Sequence, residues 1–246
     1  MKLFNFITNK MYKNSTYYKI TKNSYFSTIK DVGKYGEYLT YKSLKHFEND
    51  GAKFLFNCYL PTNNNGTSEL DVIMVHKSGI YVFESKNYSG WIFGNENDKM
   101  WTQVLKNNKN VHKEHFLNPI IQNKTHIKWL KNILNTNYPI YSIIVFSKRC
   151  KLKNININNE YLKVTKREYL KKIINKMSNT SLLNNEDIDK IYEILYPYTQ
   201  VSELDKQKHI QNIYNKINQN EIICPKCGNT LVIRTTKTNN SKFYQS

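Results

Sequence analysis

Between residues 53 and 84 the apolar positions fall into three blocks, 53–60, 69–76 and 79–84, each rich in β-branched and aromatic residues. Such blocks predict strands. Asn63-Asn64-Asn65-Gly66 is a turn signal between the first two, and Lys77-Ser78-Gly79 is a short hairpin link between the second and third, so the three predict a meander. Upstream, Val32, Tyr35, Leu39 and Phe47 recur at roughly helical spacing and predict a helix from Asp31. Downstream, residues 91–94 and 100–105 read as short strands, and Asn118-Pro119 opens a helix running to about residue 134. The near-continuous apolar run at 140–146 suits a buried central strand packed by helices on both sides. Residues 161–165 form another strand candidate, and helices are expected over 166–177, 186–195 and 201–218, the last polar enough to serve as a connector. Residues 1–30 show no sustained helical stripe and carry six lysines and no acid, which predicts a flexible basic arm.

This order of strands and helices predicts an α/β protein. At 246 residues, with 39% apolar and 13% aromatic content, the chain suffices for one ordinary core and a small appendage. A formal charge of +18 favours polyanionic partners, nucleic acid above all, although the abundance of Asn, Lys, Ile and Tyr assigns part of that basicity to the codon bias of an A/T-rich genome. Four cysteines are too few for a disulfide framework; Cys58 and Cys150 fit packed thiols, and a reducing cytoplasm is the expected compartment. No apolar run approaches a transmembrane length, and the apolar start of the chain is too short for a secretory signal. There is no P-loop to drive a motor and no GxSxG serine elbow. His112 and His115 have a spacing that can bind metal on a helix, but no third ligand follows, so they are expected on a surface or loop.

Three charged residues interrupt the strand blocks. Glu84 and Lys86 stand at i and i+2 and share one face of a strand, and Asp71, in the preceding block, can lie beside them on an antiparallel neighbour. A buried carboxylate is costly unless it is paired or bound to metal, so idle acids at these positions are disfavoured. Mg²⁺ (or Mn²⁺) favours one or two carboxylates completed by water and substrate phosphate, which is the set Asp71 and Glu84 can make. Lys86 can orient or help deprotonate the attacking water, or place positive charge where a phosphate transition state gains negative charge.

Gly33-Lys34-Tyr35-Gly36-Glu37, Asn57-Cys58-Tyr59-Leu60-Pro61, Glu69-Leu70-Asp71, Phe83-Glu84-Ser85-Lys86-Asn87, Ser89-Gly90, Trp101-Thr102-Gln103 and Asn118-Pro119-Ile120-Ile121-Gln122, taken in order, resemble the nuclease-related domain (NERD) family. The resemblance covers residues 31–148. It implies the PD-(D/E)xK restriction-endonuclease-like fold, with a mixed sheet between helix layers. It further implies Asp71, Glu84 and Lys86 as the core site, Glu37 as an accessory carboxylate from the first helix, and Gln103 and Gln122 as flanking polar positions. The expected activity is metal-dependent hydrolysis of phosphodiester bonds in DNA; the alternatives are a non-catalytic nucleic-acid-binding module that keeps the fold, and an adaptor whose basic surface meets an acidic partner.

Four segments are expected: the arm at 1–30, the nuclease-like domain at 31–148, a helical extension at 149–220 that completes or follows the core, and a partial zinc ribbon at 221–246. Cys224-Pro225-Lys226-Cys227-Gly228 has the spacing of a zinc knuckle, and the two short strands after it resemble the first part of a topoisomerase-type four-cysteine ribbon. The second cysteine pair of that family is missing here. Cys224 and Cys227 therefore imply either a lost Zn²⁺ site or one completed by a second chain in a homodimer, with a weak site as the remaining choice.

Overall fold

The computed structural model describes residues 2–63, 66–106, 110–135, 137–155, 157, 159–219, 232–235 and 242–245. Three helices come first, α1 (Lys2–Lys13), α2 (Thr16–Thr21) and α3 (Tyr25–Lys30), followed by α4 (Val32–Leu44) and a 3-10 turn. The starts of α2, α3 and α4 are fixed by Ser15, Ser24 and Asp31, whose side chains accept from backbone amides of the first turn. These helices correct the expectation of a flexible arm at 1–30. Tyr12, Tyr17 and Ile20 are buried in the same core as α4 and the sheet, Tyr17 packing edge-on against Phe56 at 4.9 Å. The anchors are mostly tyrosines, whose rings bury apolar area while the hydroxyl finds a partner, as Tyr12 Oη does with Thr28 Oγ1 at 2.6 Å. Counting tyrosine as polar hides that stripe.

The meander follows as β1 (Lys53–Pro61), β2 (Thr67–His76) and β3 (Gly79–Lys86). Next come β4 (Gly90–Phe93), β5 (Met100–Lys106), β6 (Val111–Leu117), α5 (Pro119–Leu134), β7 (Ile140–Phe146), β8 (Cys150–Lys153) and β9 (Leu162–Lys166). Helices α6 (Arg167–Met177), α7 (Asn185–Leu195) and α8 (Glu203–Gln219) precede a backbone hairpin of β10 (Val232–Thr235) and β11 (Lys242–Gln245). Cys224 and Cys227 lie outside the described residues. The main sheet has the order β1-β2-β3-β7-β9, antiparallel through the meander and parallel from β3 to β9. One face packs on α4 and α6 through Leu44, Val72, Phe83 and Leu170; the other packs on α5 and α7 through Leu70, Val82, Leu130 and Ile191. This is a mixed sheet between two helix layers.

A smaller mixed sheet, β6-β5-β4-β8, branches from the ends of β3 and β7. Trp101 joins the two sheets by stacking on Phe146, 6.0 Å between centroids with planes 4° apart. Its strand β6 carries the histidine pair at the surface, on a strand rather than a loop: His112 and His115 sit three apart and so point to opposite faces, one toward Glu114 and the other toward Thr102. Helix α5 is bolted to the main sheet by Asn123, whose Nδ2 donates to Val82 O (3.0 Å) and Ser142 Oγ (2.8 Å). No helix among the described residues is long and apolar enough to cross a membrane.

Candidate active site

The sheet is deformed where the acidic residues lie. In β1 and β2 the pairing steps from Phe56↔Val72 to Cys58↔Leu70 and skips Asn57 and Asp71, which face each other unpaired. Above this level Phe54, Phe56, Val72 and Met74 point to the α4 face; below it Cys58, Leu60 and Leu70 point to the α5 face, as Leu55 and Ile73 do above. Side-chain alternation therefore slips by one in both strands at the same place. Asn57 makes this possible by taking φ +50°, a region that asparagine tolerates better than most side chains. On the other side of β2, registered pairing with β3 ends at Val72↔Phe83, and one step further Asp71 Oδ2 accepts a hydrogen bond from Ser85 N at 2.8 Å.

At this opened end Glu84 and Lys86 project toward α5. Lys86 Nζ lies 2.7 Å from Glu84 Oε1 and donates to Gln122 Oε1 at 3.0 Å. Glu84 is 1% exposed. His126, one turn along α5 from Gln122, places Nε2 3.4 Å from Glu84 Oε2, too poorly aligned for a hydrogen bond, so both atoms are buried without one among the described residues. His126 Nδ1 is held by Ser68 Oγ at 2.6 Å. Burial pushes the Glu84 carboxyl up, but the Lys86 charge and His126 outweigh it and hold the group below its ordinary value. For Lys86 burial works downward, and the charges of Glu84 and Asp71 overcome it to raise the ammonium. Asp71 is raised well above the usual carboxylate range, first by burial and then by the charges of Glu84 and Glu37.

On the α4 face a second acidic group forms, with His209 Nε2 3.8 Å from Glu69 Oε2. Glu37 Oε2 accepts from Asn57 Nδ2 at 3.1 Å and from Tyr17 Oη at 3.4 Å; Glu69 Oε1 accepts from Tyr59 Oη at 2.6 Å. Burial, with the Glu69 charge behind it, raises Glu37 to about 7 despite the Asn57 and Tyr17 hydrogen bonds. Glu37, Asn57, Tyr59 and Glu69 line a cleft of 380 Å³ together with Lys34, Glu203 and Lys206. Gly36 brings α4 down onto the sheet here: a Cβ at that position would stand 3.0 Å from Ser85 Oγ and from Asn87 Cβ.

Asp71, Glu84, Lys86 and Gln122 thus share one place, with Glu37 near enough for its charge to act on Asp71. Gln103 stands apart: it is buried in the smaller sheet, where Nε2 donates to Ser89 O at 2.7 Å and fixes the link between β3 and β4. His126 and Ser68 escaped the sequence reading. The available signal was a histidine four residues after Gln122, on the helix side that continues into Trp129 and Leu130.

A buried and a half-buried carboxylate with a lysine, at the opened end of a mixed sheet between helix layers, is the arrangement of a restriction-endonuclease-like protein. Residues 32–147 match the nuclease-related domain. The chain is also 30% identical, over 75% of its own length and 84% of the other's, to an uncharacterized protein of Bacillus anthracis. It belongs to the nuclease-related domain family. No solved structure matches it.

Proposed function

We propose that this protein is a metal-dependent nuclease that hydrolyses phosphodiester bonds in DNA, with Asp71, Glu84 and Lys86 as its reacting centre. The observation that carries this reading is Glu84 Oε2, buried and without an aligned hydrogen bond, with only His126 Nε2 3.4 Å away, beside the half-buried carboxylate of Asp71. Hard oxygen donors of this kind suit Mg²⁺ or Mn²⁺, which needs only one or two carboxylates because water and substrate phosphate complete its shell. Asp71 and Glu84 would hold such a cation, which would supply Lewis acidity there.

The chain's own groups do the remaining work. Gln122 and Glu84 aim the Lys86 ammonium, a positive charge set where the phosphorus gains negative charge as water adds and the leaving oxygen departs. His126, held by Ser68, fixes the Glu84 carboxylate. Glu37 serves as the accessory carboxylate. Nucleic acid as partner is supported by family, by net charge and by the outward face of the smaller sheet. There Trp91 (41% exposed) and Phe93 share a face with Lys113, Lys151 and Lys153, and Lys153 Nζ lies 5.7 Å from the Trp91 ring centroid. Glu114, the one acid in these four strands, is on the opposite face beside Gln103. Bases stacked on Trp91 and phosphates held by the lysines fit this surface.

The rival reading, a non-catalytic binding module, is favoured by one observation: Lys86 already engages Glu84 Oε1 directly. Incubation with plasmid, linear and single-stranded DNA in Mg²⁺, Mn²⁺ or EDTA decides between the two. Cleavage that requires the cation and disappears in Glu84→Gln supports the nuclease; binding without cleavage under every condition supports the module.

A further inference from the structure

Arginine is scarce in this chain. Of 37 lysines and arginines only Arg149, Arg167 and Arg234 are arginine, and the first two lie within electrostatic reach of each other. Both follow parallel strands whose last residues form one row across the sheet, Lys86↔Phe146↔Lys166. The carboxyl ends of such strands are where ligands bind in open α/β sheets. Arg149 is tied to the strand that carries the reacting centre: its Nη2 donates to Asn87 O at 2.7 Å and to Asn87 Oδ1 at 3.3 Å, and its Nε donates to Ser147 Oγ at 3.3 Å.

Arg167 is different. Its Nε and Nη2 are buried and make no hydrogen bond among the described residues. Burial, then the charge of Arg149, lowers its guanidinium, and Tyr35 and Cys150 offset this only in part. The neighbouring acid, Glu168, is engaged by Lys166. A buried guanidinium whose donors are unmade opposes folding, and a second arginine nearby adds like-charge repulsion. Lysine, which this composition supplies in abundance, offers no fork of donors; a planar fork is what a phosphate oxygen pair takes. The first turn of α6 adds amide donors that no side chain caps.

We propose that Arg149 and Arg167 form a clamp for an uncleaved backbone phosphate of the nucleic-acid strand that passes Lys86. The clamp sets where the strand lies along the sheet edge and so which bond reaches Asp71 and Glu84. It rests on nucleic acid being the ligand of this site and is independent of cleavage.

The test uses the full chain in EDTA, with labelled single-stranded and duplex DNA titrated over a range of salt. Arg149→Lys and Arg167→Lys should each weaken binding about tenfold with the salt slope unchanged, because the charge stays and the fork is lost. Arg149→Gln and Arg167→Gln should also reduce the slope by about one each. Thermal melting separates a ligand site from a structural role: Arg167→Met should melt no lower than the wild type, whereas a guanidinium that supports the fold would melt lower when removed. Wild-type affinity in both lysine variants overturns the clamp. So does a melting temperature raised by millimolar inorganic phosphate in wild type alone, if the glutamine variants bind DNA normally, since the pair then serves a free phosphate. Should the Arg167 variants not fold, the exposed Arg149→Lys carries the same expectation. A protein that cleaves nothing yet shows these losses removes the nuclease reading and keeps the clamp; one that cleaves with unchanged affinity in both lysine variants does the reverse.

Discussion

Glu84 and Glu37 are the same residue type, both buried, on opposite faces of one sheet, and they titrate in opposite directions. Glu84 is held below its ordinary value because Lys86 lies 2.7 Å away with His126 behind it; Glu37 is raised to about 7 because its neighbours are amide and phenol groups and another carboxylate. Burial alone is worth an upward push in each case. The difference is the Lys86 ammonium together with the His126 imidazole. An ionised carboxylate on the α5 face therefore already has its countercharge, whereas the α4 face carries acid that is comfortable only when protonated or when a cation arrives.

Breaking the α5 face should have the largest effect. Asp71→Ala, Glu84→Ala and Lys86→Ala are each expected to lower metal-dependent cleavage by about 10³-fold or more, since each removes a group whose interaction grows in the transition state. Plasmid nicking measured beside a folding control checks this, and wild-type rates in Glu84→Ala would sink the site assignment. Lys86→Met leaves the buried Glu84 and the half-buried Asp71 without their cation and should cost about 3–5 kcal/mol of stability by urea unfolding in EDTA. A cost near zero would mean that Lys86 is not what holds Glu84 low.

The α4 face sharpens the comparison through pH. With a folded value near 7 against an ordinary 4.5, the Glu37 carboxyl takes up a proton on folding between these limits, so ionised Glu37 opposes folding increasingly from pH 4.5 to 7 and fully above. Glu37→Gln should match wild-type stability below pH 4.5 and exceed it by up to about 3 kcal/mol at pH 8 without metal. A pH-independent difference would deny the shift. Its effect on cleavage should be smaller than that of Glu84→Ala. Asn57→Ala should cost about 1–2 kcal/mol, by placing a Cβ residue without a tolerant side chain at φ +50° and removing the donor to Glu37; Asn57→Gly should cost less. Equal losses in the two would show that the backbone angle is not what Asn57 contributes.

The smallest effect concerns Cys224 and Cys227. Two thiolates do not fill a tetrahedral site, so an isolated chain should hold well under one zinc, and a zinc-dependent dimer lost in Cys227→Ser would reveal a shared ion. Zinc content measured together with mass in solution separates these outcomes. One full zinc per monomer would refute both. Cleavage should be unchanged in Cys227→Ser.

Much of the fold was legible because its elements declare themselves locally. The meander, α5, β7 and α6 follow from apolar blocks, a proline-led helix start and a continuous buried run, and Glu84 with Lys86 follows from the two-residue period of a strand. The parts that were not legible depend on distant partners. Nothing near residue 57 in sequence announces a left-handed asparagine, because the slip needs Asp71 opposite it. His126 gains its place only through Ser68, 58 positions away. Strand β6 has a polar run from His112 to His115 at its centre, β8 is only four residues long, and the first three helices anchor by tyrosine.

Those first helices bear on where the domain can be cut. The stretch that matches the family, residues 32–147, omits Tyr12, Tyr17 and Ile20, which cover one side of the sheet, together with β9, α6 and α7. Excised alone, it would bare β7 as a long apolar edge and uncover rings such as Phe56 that Tyr17 now shields. Such an edge is an invitation to pair with another molecule. Sequence kinship and the smallest unit that stays soluble are therefore different lengths of this chain, and a recombinant fragment drawn to the family limits should precipitate where the whole protein does not.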